Sequence, residues 1–401
     1  MTEERTLWDR GDAIDAEMLA FTVGDDFVHD RRLVLHDLEG SRVHARAIQR
    51  AGLLAPADAE LILAGLDELE RAFRAGEWTV EPRDEDVHSA VERELLDRIG
   101  EPAKRLHAGR SRNEQIALDV RLWLRAAAAE TRAAVQRLVE AGRAFGARHG
   151  ALPLPGYTHL RRAMPSSLGD WIGAHARAFE LDLEELVHAE RRARFCPLGS
   201  GAGYGVPLAL EREREARELG FEAPEEPVTA VQHARGRAEL AYLTAAEALA
   251  LDLGKLAADV WLFTSEEFGY LRLPVALTTG SSLMPQKRNP DAVELTRARA
   301  RAIVAARAEL LDLVRDLPSG YHRDFQLVKA PLFRAHDSLA ATLALWPRLL
   351  SGLEPDEARL RLAASDPTLR ATERVLAAVQ GGAAFRDAYR AESRATSGPD
   401  R

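Results

Sequence analysis

Tyr242, Ala246, Leu249, Leu253, Leu256, Val260 and Phe263 alternate spacings of four and three, with Thr244, Glu247, Asp252, Lys255 and Asp259 between them. That is three heptads of an apolar a/d stripe, the pattern of helices packed nearly parallel in a bundle. The stripe lies in one of four long stretches without proline: Pro102 to Pro153, Pro165 to Pro197, Pro227 to Pro274, and Pro290 to Pro318. Each stretch is filled with Ala, Leu, Arg and Glu, the strongest helix formers. No run of period-two alternation is long enough to predict a sheet. The pattern predicts an all-α fold built on helices longer than the globular average.

Helix starts are legible at several points. Ser111-Arg112-Asn113-Glu114 reads as a capping box. Ser166 and Ser167 follow Pro165 at the next start, and Asn289-Pro290-Asp291 reads as N-cap, proline at N1 and an acid in the first turn. Residues 1–105 predict a smaller helical domain, residues 106–318 a central long-helix bundle, and residues 319–401 a small C-terminal helical domain whose tail frays from about Ser393.

Composition narrows the class. The 401 residues carry 63 acids against 54 bases, a formal net charge of -9, which argues against coating nucleic acid through a basic surface. The single cysteine, Cys196, excludes an intrachain disulfide and any site built on several thiolates, and fits a reducing compartment. No apolar run reaches the roughly 18–20 residues that span a bilayer, and the first residues lack a signal-peptide core. A soluble, cytoplasmic protein is expected.

Between the predicted rods lie polar loops of a different composition. His107 to Asn113 is basic and amide-rich, and Pro155-Gly156-Tyr157-Thr158-His159 is a stiff turn carrying a hydroxyl and an imidazole. Gly280 to Pro290 combines two serines, two cations and two prolines, and Tyr321 to Lys329 adds a further polar cluster. Cations gathered in the loops of an acidic protein point to a small anionic ligand. Singly, each signal has a plain structural reading. Ser111 and Asn289 serve as helix caps, His159 as a structural imidazole, and Glu294 as a solvated acid on an amphipathic helix. Ser281 has no nucleophile-elbow context, no His pair has metal-ligand spacing, and no phosphate-cradling glycine motif is present.

Together the loops are specific. Gly280 to Pro290 resembles the signature loop of the fumarase/aspartase superfamily, and its Met284-Pro285-Gln286-Lys287 form resembles the argininosuccinate lyase branch. Glu85-Asp86-Val87-His88-Ser89, His107 to Trp123, Pro155 to Pro165, Gly199 to Gly205 and Tyr321 to Lys329 follow the family's order and spacing, from Leu7-Trp8 to about Tyr389. The resemblance implies cleavage of a C–N bond by elimination with release of fumarate, without metal or organic cofactor. It implies that His159 and Ser281 are the acid–base pair, that Glu294 is the carboxylate partner of His159, and that Lys287 steadies the extra negative charge. Asn113, Thr158, Asn289, Tyr321, Gln326 and Lys329 match substrate-binding positions. Which of the pair takes the carbon-bound proton stays open: Glu294 argues for His159, the cationic loop for Ser281, and the balance leans to Ser281.

The departures bear on substrate rather than on reaction type. Asp26 stands where many members have a substrate-binding serine, Ala108 where threonine is usual, Arg161 where a glutamine follows Thr-His, and Leu7-Trp8-Asp9-Arg10-Gly11 where Leu-Trp-Gly-Gly-Arg is common. Adenylosuccinate lyase, or a crystallin-like non-enzymatic relative, is the alternative. The resemblance also implies a homotetramer with sites shared between chains. The predicted rod after Asn113 puts that residue and His159 at opposite ends, and the Tyr242–Phe263 stripe offers a seam for packing against other copies.

Overall fold

The computed structural model describes residues 15–396. In chain order α1 (Ala16–Val23) and α2 (Asp26–Asp30) precede α3 (Val34–Arg50), α4 (Pro56–Arg74), α5 (Val87–Ile99) and the 38-residue α6 (Arg112–His149). A hairpin of β1 (Pro153–Thr158) and β2 (Arg161–Ser167) leads into α7 (Leu168–Glu190). Next come β3 (Phe195–Cys196), α8 (Arg212–Glu218), β4 (Ala223–Pro224), α9 (Ala230–His233) and α10 (Arg237–Phe263). The chain continues through β5 (Leu271–Arg272), β6 (Thr279–Gly280), β7 (Arg288–Asn289), α11 (Asp291–Val314) and α12 (Lys329–Gly352). It ends with β8 (Glu354–Pro355), α13 (Glu357–Ala364), α14 (Ala371–Gln380) and α15 (Phe385–Thr396). The strands pair only two by two, so the fold is all-α as the patterning predicts.

The four proline-free stretches hold α6, α7, α10 and α11. A fifth rod, α12, escapes a proline-gap reading because it carries Pro331 in its first turn and Pro347 in its interior. A first-turn proline loses nothing, since those N–H groups have no intrahelical acceptor. The α6 cap forms as expected: Ser111 Oγ accepts from the Asn113 N–H at 3.3 Å, and Glu114 Oε1 accepts from the Ser111 N–H at 3.2 Å. Ser167 caps α7, its Oγ accepting from the Asp170 N–H at 3.0 Å. At α11 the expectation is corrected by one residue. Pro290 is the cap, its carbonyl accepting from the Glu294 N–H, while Asn289 lies in β7 and its amide donates to the Gly280 carbonyl. Of the tail expected to fray from about Ser393, the part to Thr396 belongs to α15 and is helical. Leu7 to Gly11 and the end of the tail lie outside the described residues.

The chain forms two compact units. The first takes residues 15–130, Glu185–Glu247 and Ala302–Asp337. Its core centres on Trp123, whose ring meets Phe333 edge-on at 4.7 Å and His336 at 5.1 Å, while the buried Tyr242 hydroxyl lies 2.7 Å from His336 Nδ1. The second unit takes Thr131–Glu184, Ala248–Arg301 and residues 338–396. There Trp171 packs against Phe145 and Phe263, and the fully buried Trp346 satisfies its indole N–H on Thr296 Oγ1 at 3.1 Å. Buried indoles find such a partner because an unmet donor in an apolar core is costly.

All seven stripe residues of α10 are buried within the single chain, from 0% to 6% exposed. The stripe is therefore consumed by the chain's own core, and the expectation that it forms a seam between copies is corrected. Burial of these apolar faces, rather than helix propensity, holds the rods.

Candidate active site

In the first unit the start of α6, the α2 turn, the start of α5 and the Tyr321–Lys329 segment enclose a cavity of about 120 Å³. Four sequence-predicted binding residues, Asn113, Tyr321, Gln326 and Lys329, line it together. Its charged lining is balanced: Asp26, Asp30, Glu85 and Asp86 face Arg112, Arg235, Arg323 and Lys329. Arg112 gathers the Glu85–Ser89 block onto the α6 start, reaching Glu85 at 3.2 Å, Asp86 at 2.9 Å and Ser89 Oγ at 2.7 Å. Glu114 ties the same helix start to the glycine-rich loop, accepting from the Gly201 N–H at 2.7 Å. That loop needs its glycines. Gly203 has φ +116°, and a Cβ there would lie 2.8 Å from Gln232 Cγ.

Lys329 is only 3% exposed, and its ammonium bonds both Asp26, at 2.6 Å, and Asp30. Burial works against its charge, yet Asp30 and Asp26 outweigh it and hold its pKa above the usual value. Asp26 is pushed up to about 7, chiefly by burial and against the pull of Lys329, with Asp30 adding repulsion. Gln326 is likewise engaged, its amide donating to the Thr22 and Val23 carbonyls at 2.9 and 3.1 Å. Both residues thus clamp the segment that presents Asp26, a role the sequence pattern did not reveal.

Beneath the cavity lies a buried network that sequence reasoning also missed, although His88 stands in a quoted block. His88 Nδ1 donates to Asp37 Oδ2 at 2.6 Å, and Asp119 Oδ2 lies 3.9 Å from the same nitrogen. Burial raises the Asp37 pKa, but His88 more than reverses it, so Asp37 stays ionised. Burial and the Asp37 charge push Asp119 well up, toward its protonated form. The ligating atoms of this trio lie within 4.8 Å of one another. With His88 already bonded to Asp37 and the half-buried Arg110 bearing on both acids, the donor set suits a proton-sharing network better than a cation.

The second unit holds the proton-transfer candidates. His159 and Leu160 form the two-residue tip of the β1–β2 hairpin, with φ +54° and +55°. Positive φ at both central residues is what a type I′ turn demands, and it is costly for residues with a Cβ. The hairpin carries a bulge at Gly156, where a Cβ would lie 3.1 Å from the Met164 carbonyl oxygen. Tyr157, one pair back from the tip, anchors this end of the hairpin, its hydroxyl 2.7 Å from that of Tyr270. Ser281 sits just beyond β6, in a loop closed by the Thr279–Asn289 and Gly280–Arg288 pairing. Its Oγ accepts from the Met284 N–H at 3.1 Å and the Leu283 N–H at 3.3 Å. Lys287 is exposed on this loop, and Glu294 is exposed in the first turn of α11. Among the described residues, the His159 side chain bonds none of Ser281, Lys287 and Glu294, and Thr158 and Asn289 lie on the hairpin and the loop, outside the first unit's cavity.

The family model described as Lyase matches residues 11–305. The argininosuccinate lyase of Sorangium cellulosum is 43% identical over 392 residues, covering 96% of this chain and 89% of that protein. The chain belongs to the argininosuccinate lyase family, within the fumarase/aspartase superfamily. A second member, the argininosuccinate lyase of Stenotrophomonas maltophilia, is 42% identical over 395 residues, 96% of this chain and 89% of its own. Solved structures agree on the fold. EDDS lyase in complex with formate has a TM-score of 0.82 at 24% identity, covering 95% of this chain and 76% of its own. The fumarate lyase:delta crystallin from Brucella melitensis bound to cobalt has a TM-score of 0.74 at 20% identity, covering 91% and 87%. No helix of the described residues is long and apolar enough to cross a membrane.

Proposed function

We propose that this chain cleaves argininosuccinate to arginine and fumarate, with Ser281 and His159 moving the protons. A base takes a proton from the carbon beside the succinyl carboxylate, giving an aci-carboxylate. An acid then protonates the departing guanidino nitrogen as the C–N bond breaks. The observation that carries this reading is the environment of Ser281. Two backbone N–H groups point at its Oγ, and donors aimed at an oxygen favour its ionised form. Lys287 on the same loop adds positive charge where the aci-carboxylate develops. This supports Ser281 as base and His159, with Glu294 behind it, as acid. Asn113, Tyr321, Gln326 and Lys329 would position the substrate at the cavity, with Thr158 and Asn289 contributing from the hairpin and the loop. The charge-balanced cavity suits a zwitterionic amino-acid end, whereas Lys287 and Arg288 suit a dicarboxylate. No step draws on a metal or organic cofactor.

The working form we propose is a cytoplasmic homotetramer whose sites are shared between chains, with residues 1–105, 106–318 and 319–401 as its functional segments. At the α-helical rise, the uninterrupted 38 residues of α6 span roughly 57 Å. Asn113 lies at one end of this helix, and the hairpin bearing His159 follows the other. One small substrate reaches both only if different copies supply them.

Purified protein offered argininosuccinate and adenylosuccinate separately should release fumarate, read by its ultraviolet absorbance, from the first alone. Release from adenylosuccinate, or from neither, refutes the reading. If His159 and Ser281 reach each site from different chains, His159→Ala and Ser281→Ala proteins, denatured together and reassembled in equal amounts, should regain roughly a quarter of wild-type activity. Mixed oligomers that form and stay inactive would refute the supply of His159 and Ser281 by different chains.

A further inference from the structure

Glu294 is held by a residue that its own helix does not supply. Trp261, on α10, donates its indole N–H to Glu294 Oε1 at 3.0 Å. The Arg297 guanidinium, three residues beyond Glu294, stacks 4.2 Å from the Trp261 ring centroid. Trp261 is 40% exposed, on the face of α10 away from the buried stripe. An exposed indole bonded to an exposed carboxylate contributes little to stability, because water competes for both partners. What it does supply is direction. A glutamate side chain turns about three bonds, and the indole is a rigid, donor-only group whose plane the stacked arginine fixes. With Oε1 claimed, Oε2 is the oxygen left to face an imidazole.

We propose that Trp261 is a positioning residue for the elimination: it aims the Glu294 carboxylate at His159, and Arg297 holds the indole in place. The proposal rests on the reading of Glu294 as the partner of His159. An imidazole loses proton affinity when its carboxylate is removed or swings free. Replacing Trp261 should therefore act on kcat and on the histidine limb of the pH–rate profile, and leave KM nearly alone.

The test compares Trp261→Phe, Glu294→Gln and the double variant, each checked for native helicity and oligomeric state. Glu294→Gln should move the histidine limb to lower pH. Trp261→Phe keeps a ring for Arg297 but removes the N–H. It should move the limb the same way by a smaller amount and lower kcat about three- to tenfold, the worth of one hydrogen bond, with KM within about twofold. Adding Trp261→Phe to Glu294→Gln should change nothing further, since the two act through one contact. Should Trp261→Phe not fold, Trp261→Leu, which also lacks the donor, takes its place. A limb that Glu294→Gln leaves unmoved overturns the role of Glu294 and the proposal with it. A limb that Glu294→Gln moves and Trp261→Phe does not, or that Trp261→Phe moves equally without Glu294, overturns the proposal alone.

Discussion

Replacing Lys329 by methionine tests whether this lysine is an exposed ligand group or the centre of a buried ion triad. Methionine keeps most of the volume, so the change is chiefly electrostatic. In the native chain one ammonium faces two carboxylates: Asp30, fully buried with its other oxygen accepting from the Val87 N–H at 3.0 Å, and Asp26, whose side chain is 13% exposed. Removing the cation strips both carboxylates of their counter-charge and makes ionising Asp26 beside Asp30 costlier, and stranding a buried charge costs about 3–5 kcal/mol. With a urea m-value of about 3 kcal/mol/M, the unfolding midpoint at pH 8 should fall by roughly 1–1.7 M at fixed protein concentration. The loss should depend on pH in a fixed direction. Asp26 is raised from 3.8 to about 7 in the folded chain, so its contribution to stability is present below about 3.8 and is lost as pH rises through 7. Without the ammonium its pKa rises further, so at pH 5.5 Asp26 carries a proton and the repulsion vanishes. The deficit of the variant should therefore shrink between pH 8 and pH 5.5. A loss under about 1 kcal/mol, or one that is equal at the two pH values, would refute the triad as a structural element.

Three further outcomes follow from the same geometry. His159→Ala and Ser281→Ala should each lower turnover by roughly 10²–10⁴-fold while the protein stays folded, since both lie on partly or fully exposed loops; near-normal turnover would remove the residue from the chemistry. Cys196 is fully buried and its thiol is pushed up to about 12 by that burial, so a thiol reagent at pH 8 should label it only on unfolding; rapid labelling of native protein would contradict the packing. Gly203→Ala should destabilise the glycine loop, because alanine is strained at φ +116° and its Cβ meets Gln232; a thermal midpoint equal to wild type would show that the loop relaxes at no cost.

The sequence by itself determined the elements whose signals are local. A heptad stripe and long proline-free stretches specify rods because helix formation depends on neighbours three and four residues away, and α6, α7, α10 and α11 appear where those signals lie. Capping is equally local, so Ser111 and Ser167 were legible as helix starts. The motif blocks carried the family, and with it the candidate chemistry. Where local rules conflict the reading fails: α12 passes two prolines that a gap rule treats as stops, and the hairpin bearing His159 alternates too weakly along its strands to show a period of two. What only the tertiary structure decided are the contacts between residues far apart in sequence. Lys329 meets Asp30 across 299 positions, Gln326 meets Thr22 across 304, and Trp261 meets Glu294 across 33. No periodicity encodes such pairs, because they exist only once apolar faces have packed and fixed which side chains share a low-dielectric space. The stripe on α10 makes the same point: its spacing announced a buried seam, and only the packed chain decided that the seam closes on itself.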